Sequence, residues 1–236
     1  MRITLLGVGE AFDPAEPNSS ALVEEDGFSL MIDCGHSVVA PFWRARPDPD
    51  AIDAIYFTHH HMDHILGLPP LIDRWAFEGR RKELLIVSSE CGVDQLRRLL
   101  DLLGAKPKFP IAYAVSADTR SIGPFATRFA PTGHPMPNHA ILLACGGHSF
   151  AYSGDGQPTP ESLALYRDAD LLMHECFDPE PADNPFHTDL PTVRVIAGPA
   201  RIGLYHVHAG SRPALRHAIA GDPRLFVPDP GQVLEP

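Results

Sequence analysis

Side chains that can bind a metal ion are concentrated in one stretch of this chain, Thr58-His59-His60-His61-Met62-Asp63-His64. An apolar run that predicts a buried strand comes directly before this stretch. Because alternate side chains of an extended segment share a face, His59 and His61 should point together while His60 turns away. Asp63 and His64 lie on the following turn and can face a second point nearby. The stretch therefore predicts two adjacent metal ions, and imidazoles with a carboxylate suit zinc or a similar borderline ion.

Three later residues offer the further ligands that a binuclear site needs. His134, Asp155 and His206 each lie at or just past the C-terminal end of a predicted strand. Glycines beside His134 and Asp155 let the backbone bend toward an ion. Either histidine alone would be more readily explained as a buried core residue. His208 is an alternative to His206 on the same face, but we favour His206 because it directly ends its strand.

The spacing of residues 59–64 resembles the HxHxDH signature of the metallo-β-lactamase superfamily, and the three later residues match its third, fourth and fifth motifs in order. The resemblance implies an α/β fold, a four-layer αββα sandwich, formed by a single domain over residues 1–236. It also implies two divalent metal ions, zinc with manganese or iron as alternatives, at one edge of the sandwich. The implied ligands of one ion are His59, His61 and His134. Those of the other ion are Asp63, His64 and His206, and Asp155 bridges the two.

Two such ions would lower the pKa of a water between them, so that metal-bound hydroxide is available near neutral pH. They would also stabilise the oxygen that becomes negative in the transition state. Asp63 could orient that hydroxide and accept its proton. The chemistry therefore needs no serine or cysteine nucleophile.

Protonation of the leaving group needs a further residue, and two elements resemble those of tRNase Z-like members of the superfamily. The run 174–176 resembles their His-Glu element, and the run 186–188 resembles their later His-Ser/Thr element. By this resemblance His187 is the expected general acid, supported by Glu175 or His174. A histidine at a helix start and a surface carboxylate are the competing interpretations.

Three other residues have expected roles from the same resemblance. Asp33 follows a hairpin and is either a carboxylate that supports the metal-ligand loop or an ordinary turn residue. Asn138 and His139 lie just beyond the third motif, where family members place residues that face the substrate.

The elements that must position these residues alternate between strands and helices, which is typical of α/β layers. Strands are predicted at 3–6, 21–23, 28–32, 52–57, 83–87, 111–115, 125–130, 140–144, 149–152, 171–174, 202–205 and 224–227. Helices are predicted at 38–46, 68–79, 93–103, 161–168, 192–200 and 212–220.

Composition limits the remaining alternatives. The formal net charge of −11 argues against a large surface that coats phosphates, so nucleic acid is disfavoured as a partner. The four cysteines are widely spaced with no CxxC pair, which argues against a zinc ribbon and predicts reduced thiols. No signal peptide and no apolar run of about 20 residues is present, so we expect a cytoplasmic protein without a membrane segment.

The substrate is the least determined property. True tRNase Z enzymes insert a long basic arm between the third and fourth motifs, whereas one predicted hairpin fills that gap here, so tRNA is disfavoured. The first hypothesis is a metal-dependent phosphodiesterase acting on a small or cyclic phosphodiester. The second is a lactonase or arylsulfatase-like ester hydrolase, and the third is a non-hydrolytic metal-binding ligand sensor. Family members are often homodimers, so the resemblance also makes a homodimer a candidate oligomeric state.

Overall fold

Fourteen strands and seven helices make up the computed structural model, which describes residues 1–236. The strands, in chain order, are β1 Arg2–Gly7, β2 Ser20–Glu25, β3 Phe28–Ile32, β4 Ala54–Tyr56, β5 Leu84–Ser88, β6 Ile111–Val115, β7 Ser121–Ile122, β8 Phe125–Pro131, β9 His139–Cys145, β10 His148–Tyr152, β11 Leu171–Glu175, β12 Arg201–Tyr205, β13 Leu225–Phe226 and β14 Val233–Leu234. The helices are α1 Val39–Ala45, α2 Met62–Ile65, α3 Leu68–Phe77, α4 Glu90–Leu102, α5 Pro160–Tyr166, α6 Leu190–Arg194 and α7 Arg212–Ala218.

The strands form two seven-stranded sheets with mixed pairing. One has the order β14-β1-β2-β3-β4-β5-β6, and the other has the order β13-β12-β11-β10-β9-β8-β7. Strands β3 to β6 are parallel to one another, and so are β10 to β13. Strand β8 runs in the direction of β10, because both are antiparallel to β9. The carboxyl ends of β4, β8, β10, β11 and β12 can therefore meet at one edge of the two sheets.

Three apolar clusters fill the three spaces between four layers, so the predicted αββα sandwich is confirmed. The alternation of side chains along each strand explains how one strand serves two clusters. In β4, Ala54 and Tyr56 face the second sheet, whereas Ile55 faces the helices of the first layer. In β11, Met173 lies between the sheets and Leu172 packs against the helices of the fourth layer.

Several predicted boundaries were wrong. The strand predicted at 52–57 spans only Ala54–Tyr56, and the helix predicted at 192–200 is the shorter α6, Leu190–Arg194. Gly198, with φ +117°, turns the chain after α6, where an added Cβ would lie 2.4 Å from the Arg167 Cα. Helix α2 and strands β7 and β14 were not predicted, because elements of two to four residues show no periodicity. None of the seven helices combines the length and the apolar character needed to cross a membrane.

Candidate metal centre

The residues predicted to bind metal lie together where the strands end. His59 and His61 follow β4, while Asp63 and His64 lie on α2. The other three follow β8, β10 and β12 in turn and are His134, Asp155 and His206. Five of the seven side chains are buried, and His61 and His134 are partly exposed. The edge therefore presents two accessible imidazoles above a buried floor.

The first group of donor atoms comprises His59, His61, His134 and Asp155, with one atom of each within 4.8 Å of the others. His61 Nδ1 lies 3.1 Å from His59 Nε2 and 3.1 Å from His134 Nε2. The Asp155 Oδ2 atom completes the group at 3.7 Å from His59 Nε2.

The second group shares Asp155 with the first and adds Asp63, His64 and His206. Asp155 Oδ2 lies 3.4 Å from His64 Nε2 and 3.3 Å from His206 Nε2. The Asp63 Oδ2 atom is 3.2 Å from His64 Nε2. One carboxylate oxygen thus borders both groups, which is the position that a bridging ligand occupies.

Hydrogen bonds at Nδ1 orient two of these imidazoles through acceptors that carry no hydrogen. His64 Nδ1 lies 2.8 Å from Asp33 Oδ2, and His134 Nδ1 lies 2.9 Å from the Phe186 carbonyl oxygen. Because a carboxylate and a carbonyl only accept, each Nδ1 must carry the proton. Each Nε2 then has room for a metal ion at its lone pair.

Two hydroxyl groups do the same for the imidazoles of His206 and His59. Ser19 Oγ donates to the Gly9 carbonyl at 2.9 Å and lies 3.2 Å from His206 Nδ1, so it accepts from that nitrogen. Thr58 Oγ1 donates to Asp33 at 2.8 Å and accepts likewise from His59 Nδ1 at 3.1 Å. Hydrogen-bond partners of this kind set the tautomer and orientation of metal-binding histidines.

The donor atoms fit a pair of cations. His64 Nε2 and Asp155 Oδ1 are buried and have no hydrogen-bond partner in the protein. The Nε2 atoms of His59 and His134 both face His61 Nδ1, so a hydrogen on that nitrogen could serve only one of them. Buried polar atoms are normally paired, and a cation at the point where the three nitrogens converge would pair all of them. The arrangement of His61 also shows that it would bind through Nδ1, whereas its neighbours would bind through Nε2.

Electrostatics favour a cation at the same place. Burial lowers the pKa of His59 and lowers that of His206 to about 4, so both imidazoles are neutral. Burial alone would raise the pKa of Asp155, but the imidazoles of His206 and His64 outweigh it and hold that pKa well below its usual range. Burial alone would lower the pKa of His64. The carboxylates of Asp155, Asp63 and Asp33 outweigh burial and raise that pKa well above its usual value. Without a metal ion, a proton on His64 supplies the positive charge that these carboxylates attract.

His187 lies beside the two groups and is paired with Glu175. His187 Nδ1 is 3.3 Å from Glu175 Oε2, and its ring centroid is 5.6 Å from that of His134 and 5.4 Å from that of His206. The Phe177 ring stacks on His187 at 4.7 Å, with 20° between the planes. Burial lowers the pKa of His187, but the hydrogen bond and charge of Glu175 raise it to about 9. His187 is therefore a proton donor at neutral pH, with Nδ1 held and Nε2 free.

Glu175 itself is buried at the end of β11, and its Oε1 accepts the Gly156 N–H beside Asp155. Burial raises the pKa of Glu175 to about 7, so the carboxylate and imidazole compete for one proton. His174, the alternative support, points elsewhere: its Nδ1 donates to the Glu175 carbonyl at 2.7 Å and its ring packs against Tyr166. The structure thus brings Glu175, and not His174, into contact with His187.

Of three further candidate residues, one supports the centre and two lie outside it. Asp33 is fully buried with φ 56° and accepts from the Thr58 backbone N–H at 2.8 Å as well as from His64, so it supports the ligand loop. His208 is exposed and bonds Ser211, outside both donor groups. His60 turns away as predicted, toward Gln95 at 2.6 Å and Ser88 at 2.9 Å.

The expectation that Asn138 faces the substrate was wrong. Its side chain is only 1 % exposed, because it lies between the loops that carry the third and fourth motifs. Its Nδ2 donates to Thr132 Oγ1 at 2.7 Å and to the Ser153 carbonyl at 2.9 Å, and its Oδ1 accepts from Asp155 N at 3.2 Å. Residue 154 must be glycine here, because its φ is +64° and an added Cβ would lie only 2.2 Å from Asn138 Oδ1. His139 belongs to neither donor group and lines a separate cavity with Ser89, Glu90 and Asp118.

Gln157 is a residue that the sequence did not indicate. Its backbone pairs with Gly133 in both directions, at 2.7 and 3.0 Å, next to the loop that carries His134. Its side chain donates to the carbonyls of Asn184 and His187. Every residue has a backbone carbonyl, so no sequence motif could have identified the partners of this side chain.

Comparisons with known proteins identify a family and several similar proteins. A family model described as anti-Pycsar protein Apyc1 matches residues 1–217. A probable metallo-hydrolase, YhfI of Bacillus subtilis, is 29% identical over 181 residues, which cover 75% of this chain and 72% of that protein. The crystal structure of YhfI superposes with a TM-score of 0.84 at 26% identity, over 99% of this chain and 98% of that one.

Ribonuclease Z proteins are also similar. That of Haloarcula marismortui is 26% identical over 230 residues, which cover 74% of this chain and 73% of that protein. The short form of human tRNase Z has the same fold, with a TM-score of 0.80 at 18% identity, over 100% of this chain and 99% of that one.

Proposed function

The chain belongs to the family described as anti-Pycsar protein Apyc1, and from this premise we propose that it hydrolyses a small or cyclic phosphodiester. Its relatives place it in the short, tRNase Z-like branch of the metallo-β-lactamase superfamily, and it is a metal-dependent hydrolase. The observation that carries the phosphodiesterase proposal is the pairing of His187 with Glu175 beside the donor groups. A strongly basic leaving oxygen, such as the alkoxide of a phosphodiester, needs a proton from such an acid.

Two divalent ions, zinc or alternatively manganese or iron, are the proposed cofactors. When bound, they would acidify a water and neutralise charge on the phosphoryl oxygens. Imidazole nitrogens with carboxylate oxygens are a donor set that zinc accepts. The proposed ligands are His59, His61 and His134 for one ion, Asp63, His64 and His206 for the other, and Asp155 for both.

Asp63 and His187 then handle the two protons of the hydrolysis. Burial would raise the pKa of Asp63, but His64 lowers it to about 2, so the carboxylate is ionised and can accept the proton of the attacking water. His187 gives its Nε2 proton to the leaving oxygen as the bond from phosphorus to that oxygen breaks. Glu175 holds His187 Nδ1 and stabilises the charged imidazolium before transfer. The water oxygen ends on phosphorus, so atoms and charge balance.

The form of the site supports a small substrate. Only the β9–β10 hairpin separates His134 from Asp155, in the place where tRNase Z enzymes carry their tRNA-binding arm. The net charge of −11 adds no attraction for a polyanion. A compact phosphodiester therefore fits better than a folded RNA.

Metal analysis combined with three substrates tests the proposal. Purified protein is assayed with bis(p-nitrophenyl) phosphate, a lactone and an aryl sulfate, before and after chelation and after addition of zinc or manganese. We expect the phosphodiester to be turned over fastest, with loss on chelation and recovery with metal. Faster turnover of the lactone or the sulfate would show a different ester hydrolase. Retained metal without turnover of any ester would show a ligand-binding protein.

A further inference from the structure

A cavity of about 640 Å³ adjoins the metal centre on one side. We call it the Phe12 cavity; its lining residues are Ala11, Phe12, Asp13, His36, His61, Met62 and Asp63. His61 and Asp63 belong to the donor groups as well, so the cavity is continuous with the place where a phosphate would sit. A larger cavity of about 740 Å³ lies at the opposite ends of the strands, around Glu25 and His148, and contacts no donor atom.

Two large apolar side chains are held exposed in the Phe12 cavity. Phe12 is 85% exposed and Met62 is 65% exposed, and because both line one cavity they form an apolar patch of the kind that marks ligand-binding grooves. The backbone of Phe12 is held, because its N–H donates to Glu10 Oε2 at 2.6 Å. Met62 lies in α2 between two donor residues. The backbone that carries this apolar surface is therefore held before a ligand binds, which lowers the entropy cost of binding there.

The charges around the Phe12 cavity offer no partner for a second phosphate. No lysine or arginine lines it, and its two acidic residues are Asp13 and Asp63. The neighbouring Arg212 is already paired with Asp13 at 2.5 Å, and Glu16 lies 3.9 Å from it. An additional anionic group would find no free basic side chain there, whereas an uncharged ring would cover Phe12 and Met62.

We propose that the Phe12 cavity binds the organic group of the substrate that stays esterified to phosphorus, and that this group is an uncharged aromatic ring. This inference rests on the proposed phosphodiesterase function. Attacking and leaving oxygens lie roughly in line across phosphorus. His187, which protonates the leaving oxygen, contacts His134 and His206, and none of these three lines the cavity. Asp63, which accepts the proton of the attacking water, lines the cavity, so an organic group there lies away from the leaving oxygen and is the group that stays on phosphorus.

Binding of two phosphonates to the zinc-loaded protein tests the cavity independently of turnover. Isothermal titration compares phenylphosphonate with methylphosphonate, which differ only in the ring. We expect the phenyl compound to bind roughly three- to tenfold more tightly, as contact between aromatic rings allows. Phe12→Ala should abolish this preference and leave the affinity for methylphosphonate unchanged.

Phe77→Ala is the matched control, because Phe77 is 84% exposed at the end of α3 and does not line the cavity. It should retain the preference for phenylphosphonate. Equal binding of both phosphonates to the unaltered protein, or an unchanged preference in Phe12→Ala, would overturn the inference.

Turnover separates the cavity from the function. Phenyl p-nitrophenyl phosphate and methyl p-nitrophenyl phosphate share one leaving group and differ in the retained group. We expect Phe12→Ala to raise KM for the phenyl ester roughly three- to tenfold, with kcat unchanged and no effect on the methyl ester. If Phe12→Ala did not alter turnover of either ester, the proposed role of the cavity would be refuted, but the phosphodiesterase function would stand. If the unaltered protein preferred phenylphosphonate, Phe12→Ala lost that preference and no ester were turned over, only the proposed phosphodiesterase function would be refuted.

Discussion

Replacing Asn138 with alanine should weaken both folding and metal binding. The side chain makes three buried hydrogen bonds, to Thr132 Oγ1, to the Ser153 carbonyl and from Asp155 N. Alanine leaves the last two backbone groups without partners. At about 1–3 kcal/mol for each unpaired buried group, the free energy of unfolding should fall by roughly 2–6 kcal/mol. For a chain of this length, Tm should fall by roughly 4–24 °C, at 2–4 °C per kcal/mol.

The effect on the metal centre follows from the position of Asp155. Its backbone N–H is held by Asn138, and its Oδ2 borders both donor groups. Losing an outer hydrogen bond of this kind costs about 10- to 100-fold in metal affinity. Competition with a chromophoric chelator measures zinc affinity, and thermal unfolding with and without zinc measures the stability that zinc adds.

Thr127→Ala is a suitable control, because Thr127 is also buried but makes one hydrogen bond, to the Thr119 carbonyl at 3.2 Å, away from the centre. It should lower Tm without altering zinc affinity. If Asn138→Ala lowered Tm and bound zinc as tightly as the control, Asn138 would have no part in positioning Asp155. An unchanged Tm would contradict the whole account of its hydrogen bonds.

Three further outcomes are expected. His187→Ala should lower kcat for a cyclic phosphodiester with an alkoxide leaving group by about 10²- to 10⁴-fold, at unchanged metal content. Bis(p-nitrophenyl) phosphate should lose far less, because p-nitrophenolate leaves without protonation; equal losses would argue against an acid role. Glu175→Gln removes the charge that raises the pKa of His187 to about 9, so the alkaline limb of the kcat–pH profile should move to lower pH; an unmoved limb would show that another group titrates there. Chelation should lower Tm, since zinc at 100 times its Kd adds about 2.7 kcal/mol of stability, and an unchanged Tm would exclude metal binding to the folded chain.

The sequence determined the fold and the neighbourhood of the centre through local rules. Alternation of side chains along a strand predicted that His59 and His61 point together and that His60 turns away. The position of His134, Asp155 and His206 at strand ends was enough to expect them at one edge. These relations depend on residue order and strand direction alone, so they are visible before the chain is folded.

Only the tertiary structure decided which groups surround that edge. Ser19 and His206 are 187 positions apart, and the acceptor for His134 is the backbone carbonyl of Phe186. Such contacts depend on how loops from two sheets approach one another, and a carbonyl acceptor is the same in every residue type. Asn138 was expected to face the substrate because of its position just beyond the third motif. The packing of two loops, which the sequence does not show, buries it instead. Local periodicity places side chains on faces, but only the folded chain sets the distances between them.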